Sequence, residues 1–253
     1  MINKAIVFRL SVFLLSITLL VSCVNTKRST YFVDQNDGVL ETTSISPETI
    51  ITPNHLLGIT VSSLNPNATV IFNTTLNGTT QGSGYLVNKE GYIQFPVLGG
   101  IKAEGLSGNQ LREQIVKSLV EKKLLVDPIV SVRFLNFKVT VLGEVGRPTV
   151  IDVPNEKISL LEALGLAGDI TIYGKKDNVM IIREENNKKI IKRLNLNTSD
   201  LFNSPYYYLK ANDVVYVEAN KAKVSTSTRT TQLLPIFLTG LSFMIIIVDR
   251  LLP

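Results

Sequence analysis

Few side chains in this 253-residue sequence could do chemistry: it holds one cysteine, Cys23, and one histidine, His55. A single cysteine cannot close an intramolecular disulfide, and one Cys with one His is too few for a zinc site. Two carboxylates about 5 to 10 Å apart could cleave a glycosidic bond. Yet no nucleophile motif, metal-ligand spacing or phosphate loop accompanies the acidic residues. Glu144 and Asp169 lie in turn-rich stretches, where turn hydrogen bonds are the expected task. Tyr206-Tyr207-Tyr208 could stack on a sugar. In a strand, however, consecutive side chains face opposite sides, so packing against the core is the expected role. His55 reads as a surface residue. The sequence therefore predicts no enzyme, no catalytic or metal-binding residue and no cofactor beyond a covalent lipid.

That lipid is expected on Cys23. Lys4 and Arg9 form a basic start, Leu10 to Val21 is an apolar run, and Ser22 is small, which together make a bacterial export signal. Leu20-Val21-Ser22-Cys23 resembles a lipobox, in which the sulfur takes a diacylglycerol, the chain is cut before Cys23 and the new amine is acylated. The run is short for the ~20 residues of a spanning helix, which disfavours a retained membrane segment. One acyl chain holds a protein only marginally, whereas several hold it firmly. Removing residues 1–22 takes Lys4 and Arg9 and lowers the formal net charge from +5 to +3. So small a balance, without long blocks of like charge, argues against nucleic acid as a partner. The densest basic spot, Lys188, Lys189, Lys192 and Arg193, follows Glu184-Glu185 and reads as a solvated turn entering a strand.

The elements that must position these residues are α+β. Residues 23–46 are polar and aperiodic, the composition of a tether. The Asn, Thr and Gly-rich stretch Ser62 to Ser83 also reads as loose. Tyr85-Leu86-Val87 and Tyr92 to Pro96, separated by Asn88-Lys89-Glu90-Gly91, predict a hairpin. Ser107 with Gln110 forms a capping-box pattern, and Leu111, Ile115 and Leu119 follow at helical spacing, predicting a helix over 108–122. Val130, Val132 and Phe134 share one strand face, and Val139 with Val141 another. A second unit repeats the logic: Thr149 to Val153 as a strand, Ser159 with Glu162 capping a short helix that Gly168 ends, then strands over 178–183, 190–194 and 214–217.

A Ser/Thr-rich linker, 221–232, leads to the apolar stretch Leu233 to Val248. As a helix it reaches about 24 Å. That is short for an average bilayer and closer to the thinner bacterial outer membrane, so residues 233–250 are expected to form one transmembrane helix. On a helical wheel Pro235, Thr239, Ser242 and Asp249 share one narrow stripe. Such a stripe suits either a neighbouring helix or the water of a pore.

In order along the chain stand Gly84-Tyr85-Leu86-Val87, Gly91 to Gly99, Asp127-Pro128, Val141 to Val145, Leu161 to Asp169 and Asn212 to Val217. Together they resemble the polysaccharide export family of outer-membrane lipoproteins, the Wza-like exporters. After the signal peptide (1–22) and tether (23–46), the resemblance covers about Pro47 to Asn220 and implies an export domain (47–136) and one soluble-ligand-binding β-grasp domain of SLBB type (137–220). It further implies a homo-oligomeric ring, octameric in the family, with its soluble domains in the periplasm and its C-terminal helices crossing the outer membrane. The cargo would be a capsular polysaccharide or exopolysaccharide. An inner-membrane chain-length co-polymerase, often a tyrosine kinase, would be the partner. At His55 the family usually carries Asp. A monomeric periplasmic glycan-binding lipoprotein without a pore is the alternative.

Overall fold

The computed structural model describes residues 30–35, 37–40, 48–73, 84–185, 188–226, 233, 235–240, 242–244 and 247. Cys23 and Asp249 lie outside them, as do the signal sequence and residues 74–83.

The first unit opens with strand β1 (Leu56–Ser62), helix α1 (Pro66–Asn73), β2 (Tyr85–Leu86), β3 (Tyr92–Phe95), β4 (Gly99–Lys102), helix α2 (Gly108–Glu121) and β5 (Ile129–Phe134). β1 is the centre of an antiparallel sheet ordered β2-β1-β5. The capping box closes on α2 as its sequence demands: the Ser107 hydroxyl accepts from the Gln110 N–H, and the Gln110 side chain accepts from the Ser107 N–H. Its apolar row, Leu111, Ile115 and Leu119, is fully buried.

Two local expectations fail here. The segments 85–87 and 92–96 do not form a hairpin, because Tyr85 and Leu86 pair with Leu57 and Leu56 of β1. β3 instead turns through Pro96-Val97-Leu98 onto β4. The stretch after Ser62 is not wholly loose either, since α1 docks on β1. Asn73 clamps that docking, its amide oxygen accepting from the Val61 N–H at 2.9 Å and its amide nitrogen donating to the Val61 carbonyl at 2.7 Å. Helices this short are marginal without such tertiary support.

The second unit comprises β6 (Lys138–Gly143), β7 (Thr149–Asp152), helix α3 (Leu160–Leu166), β8 (Gly174–Glu185), β9 (Lys188–Leu194), a 3-10 turn (Ser199–Asn203), β10 (Val214–Ala219) and helix α4 (Lys221–Thr226). The sheet order is β7-β6-β10-β8-β9, with β10 parallel to β6 and the other pairs antiparallel. First and last strands side by side and parallel, with a helix over one face, is the β-grasp arrangement. Gly143 is required where β6 ends: its φ is +93°, and a Cβ there would sit 2.1 Å from the Val217 carbonyl oxygen. The turn after α3 runs through Gly168 and Asp169, both at positive φ.

A buried ion pair starts the central strand. Arg183 on β8 donates to both Asp213 oxygens, at 2.9 and 3.2 Å from Nε and 2.7 Å from a terminal nitrogen. It also donates to the Tyr208 carbonyl, while Asp213 accepts from the Lys210 N–H at 2.8 Å. Their exposures are 4% and 0%, so neither charge has water to fall back on.

The two units share one contiguous apolar core. Phe134 and Phe137 are buried at the junction, the Phe134 N–H donates to Glu156 at 3.0 Å, and Asn136 bridges back to Leu56 and Asn54.

Breaking a buried pair by removing one partner costs about 3–5 kcal/mol, whereas replacing both with apolar groups can be neutral. Urea melts of Arg183→Met and Asp213→Leu should each show a loss of that order, and the double variant Arg183→Met/Asp213→Leu should recover most of it. A double variant as unstable as the sum of the singles would show that the pair is not the unit of stability.

Candidate functional site

Residues of the expected tether do more than connect. Val33 donates its N–H to the Asn197 carbonyl at 2.8 Å, and the Phe32 ring stacks on Phe202 with centroids 5.0 Å apart. Tyr31 donates its hydroxyl to the Asp169 carboxylate and lies 4.0 Å under the Lys176 ammonium. Burial first, then the Asp169 hydrogen bond and charge, push the Tyr31 phenol well above its ordinary range. Asp34 accepts from the Ser199 N–H at 3.1 Å, which holds its carboxyl below the usual value. Within the expected tether over 23–46, residues 31–35 are strapped onto the second unit.

Asp169 and Glu144 serve turns, as expected. Asp169 accepts from the Ile170 N–H at 2.6 Å, and Glu144 accepts from the Thr171 hydroxyl at 3.1 Å. His55 is not a surface residue. It is 7% exposed, edge-on to Phe134 at 5.0 Å, and its Nδ1 accepts from the Thr52 N–H at 3.2 Å. Burial lowers its pKa, and the acceptor role needs Nδ1 unprotonated.

Tyr206, Tyr207 and Tyr208 sit in a turn, a bend and an isolated bridge, not in a strand. Adjacent Tyr207 and Tyr208 rings therefore touch at 5.0 Å, and Tyr207 also meets Phe202. The Arg183 guanidinium covers Tyr206 and the Lys157 ammonium covers Tyr208, each near 5 Å. Packing, rather than an open sugar platform, is what these rings do.

Two shallow grooves mark the described surface. One of about 460 Å³ lies between β7 and α3, lined by Val153, Pro154, Lys157, Ile158, Glu162 and Leu166. Two of its polar side chains are engaged, since Glu162 caps α3 and Lys157 sits on Tyr208. The other, about 600 Å³, lies between α2 and β5. On the solvated edge of the second sheet Arg193 and Lys175 each hold Glu218, at 2.7 and 2.9 Å, and keep its carboxyl at about 2. Among the described residues no three His, Cys, Asp or Glu converge as metal ligands.

Of the C-terminal stripe, Pro235, Thr239 and Ser242 are described, and the described residues from 233 to 247 are helical. The Thr239 hydroxyl donates to the Pro235 carbonyl, and Ser242 donates to the Thr239 carbonyl at 2.8 Å. Ile236, Phe237, Leu238 and Phe243 are exposed. No helix among the described residues is long and apolar enough to cross a membrane, so the spanning helix expected over 233–250 has no support there.

With this geometry in place, comparison with known proteins identifies two domains. Residues 43–135 match the polysaccharide biosynthesis/export protein family, and residues 137–217 match the SLBB domain. The chain thus carries a polysaccharide biosynthesis/export domain followed by an SLBB domain. Over 110 residues the chain is 34% identical to the EPS I polysaccharide export outer membrane protein EpsA of Ralstonia solanacearum, a stretch covering 42% of this chain and 29% of that protein. The protein of the same name from Ralstonia nicotianae is 34% identical over 113 residues, again 29% of its length. The match thus spans less than a third of these relatives.

For His55 the pH dependence follows from the direction of its shift. A folded pKa below the free value means that the unfolded chain binds the proton first. The contribution of His55 is present above about pH 6.5 and is lost as pH falls from there toward the folded value. In urea melts between pH 7.5 and 5, His55→Gln should lose stability less steeply than the wild type. A constant difference across that range would show that the imidazole does not titrate with folding.

Proposed function

We propose that this protein is a lipid-held subunit of an outer-membrane polysaccharide export assembly, passing capsular polysaccharide or exopolysaccharide from periplasm to surface. The observation that carries the proposal is the export-family match at 43–135 joined directly to the SLBB domain at 137–217. The names of the Ralstonia relatives support the outer membrane as the location and a polysaccharide as the cargo. In this reading Cys23 carries the lipid, and the soluble units stand in the periplasm as a homo-oligomeric ring, eight subunits by family resemblance. An inner-membrane co-polymerase or tyrosine kinase supplies the growing chain.

The segment 233–250 is the part proposed to enter the bilayer, in company with its copies. Exposed Ile236, Phe237, Leu238 and Phe243 suit lipid, and the hydroxyls of Thr239 and Ser242 are satisfied on their own helix, as hydrocarbon requires. Hydroxyls turned inward leave little to line water, so the stripe of Pro235, Thr239, Ser242 and Asp249 is assigned to packing between helices. Eight helices about 10 Å apart would set their axes on a circle of roughly 13 Å radius and leave a lumen of roughly 16 Å, wide enough for a hydrated glycan strand. The glycan-binding alternative gains little from Tyr206 to Tyr208, which pack on one another, on Phe202 and under Arg183 and Lys157.

Deleting residues 233–253 should abolish surface polysaccharide while the remaining chain keeps its cooperative melt; normal capsule in that strain would remove the role given to this segment. Cys23→Ser should move the protein out of the outer-membrane fraction in a density gradient, and unchanged fractionation would exclude the lipid as its hold on the membrane.

A further inference from the structure

The strands of the second unit give it two ends of different character. β6 starts at Lys138, beside the Phe134 and Phe137 junction with the first unit, and finishes at Gly143. Since β10 runs parallel to β6 and β8 antiparallel to both, Gly143, Gly174 and Ala219 share the end remote from that junction. Both segments proposed to meet the bilayer leave from this remote end. Tyr31 of the strap bonds there to Asp169, whose carbonyl accepts from Gly146 just past β6, and seven residues separate Tyr31 from Cys23. α4 follows β10 after Asn220, and only residues 227–232 lie between it and the apolar stretch that starts at Leu233.

An exposed apolar turn stands at the same end. Thr171-Ile172-Tyr173-Gly174 closes by the Gly174 N–H donating to the Thr171 carbonyl at 2.9 Å, two residues after Asp169. Asn220 ties the turn to the root of α4, its N–H donating to the Tyr173 carbonyl at 2.7 Å and its side chain to the Ile172 carbonyl at 3.1 Å. Ile172 stands at the tip, 77% exposed, more than any other large apolar side chain described in this unit. Gly, Pro, Asn, Asp and Ser dominate such turns, each for a backbone reason that isoleucine does not supply. Val224, on the adjoining α4, is also exposed, and the Lys223 ammonium covers the Tyr173 ring at 5.2 Å. An apolar tip beside a tyrosine and long lysines is a combination suited to a membrane–water boundary, where the ring and the lysine stems are apolar and their ends are wet.

Charge does not drive the contact. Arg147, Lys175, Lys176, Lys221 and Lys223 at this end are nearly balanced by Glu144, Asp169, Asp177 and Glu218. Lys223 pairs with Glu144 at 3.6 Å and Lys175 with Glu218 at 2.9 Å. Insertion of apolar surface is what remains.

We infer that the Ile172 turn enters the interfacial layer of the bilayer that faces this end of the protein, a third membrane contact beside the lipid on Cys23 and the segment 233–250. The inference rests on the membrane reading given above and adds the surface on which the folded part meets lipid. A second copy is the rival occupant, but neighbours in a ring whose axis stands normal to the membrane meet side to side and leave this end open.

The full chain, reconstituted into vesicles of phosphatidylethanolamine and phosphatidylglycerol and floated on a density gradient, tests it. An environment-sensitive dye on Ile172→Cys should be quenched several-fold more by lipids carrying a nitroxide high on the acyl chain than the same dye on either of two controls. These are Lys188→Cys, at the opposite end of the unit, and Val126→Cys, exposed in the first unit. Dye taken up by the wild type through its native Cys23 sets the background. Equal quenching at 172 and 188 overturns the inference. Blue-shifted emission at 172 without quenching by the lipid nitroxide also overturns it, because the turn is then buried against protein, a second copy included. In both cases protein that floats with the vesicles leaves the membrane reading standing, whereas protein that stays at the bottom refutes the two together.

Discussion

The second unit is organised by a pair of charges that water cannot reach. Once Arg183 and Asp213 are buried, each must satisfy the other, because an uncompensated charge in the interior costs more than most single contacts return. Their geometry fixes β10 against β8, and the Thr140 N–H, donating to the Asp213 carbonyl at 2.9 Å, fixes it against β6. Since side chains alternate strictly along a strand, that register decides which residues meet α3 and which meet solvent. A one-residue slip would expose Val215 and Val217 and bury Tyr216. The guanidinium also reaches the Tyr208 carbonyl, so the same pair holds the tyrosine turn on the sheet and makes it a structural cluster.

The N-terminal strap ties the start of the described chain into this organisation. Tyr31 and Phe32 meet Asp169, Lys176 and Phe202, residues of the second unit, although the first unit comes next in the chain. Only seven residues separate Cys23 from Tyr31, an extended reach of at most about 30 Å. Under the proposed lipidation, the SLBB unit is therefore the part of the protein held near the lipid. The shared core and the Phe134–Glu156 bond then carry the export domain along with it.

Among the described residues the acidic side chains serve the fold. Glu144, Asp169, Glu162 and Asp213 all accept turn, cap or ion-pair bonds that tie their elements together. In the proposed assembly, attachment through lipid and through an apolar helical segment would rely instead on non-directional burial, about 0.8 kcal/mol per buried methylene. Directional bonds thus shape the two folded units, while apolar area is what the proposal assigns to the bilayer.

The sequence alone determined what depends on neighbours within one turn or one strand. The capping boxes at Ser107 and Ser159, the buried row Leu111, Ile115 and Leu119, the alternation around Val139 and Val141 and the positive-φ glycine ending α3 were all legible, because each is a local contest that the residue types decide. The ordered motifs likewise gave the family resemblance. Only the tertiary structure decided where distant partners meet. Tyr85 and Leu86 pair with β1 because that edge was available, α1 forms because Asn73 finds Val61, His55 is buried because Phe134 closes over it, and Tyr31 reaches Asp169 across most of the chain. None of these leaves a periodic trace, since a contact between residues far apart in sequence is set by the packing of whole elements and not by the spacing of residues along the chain.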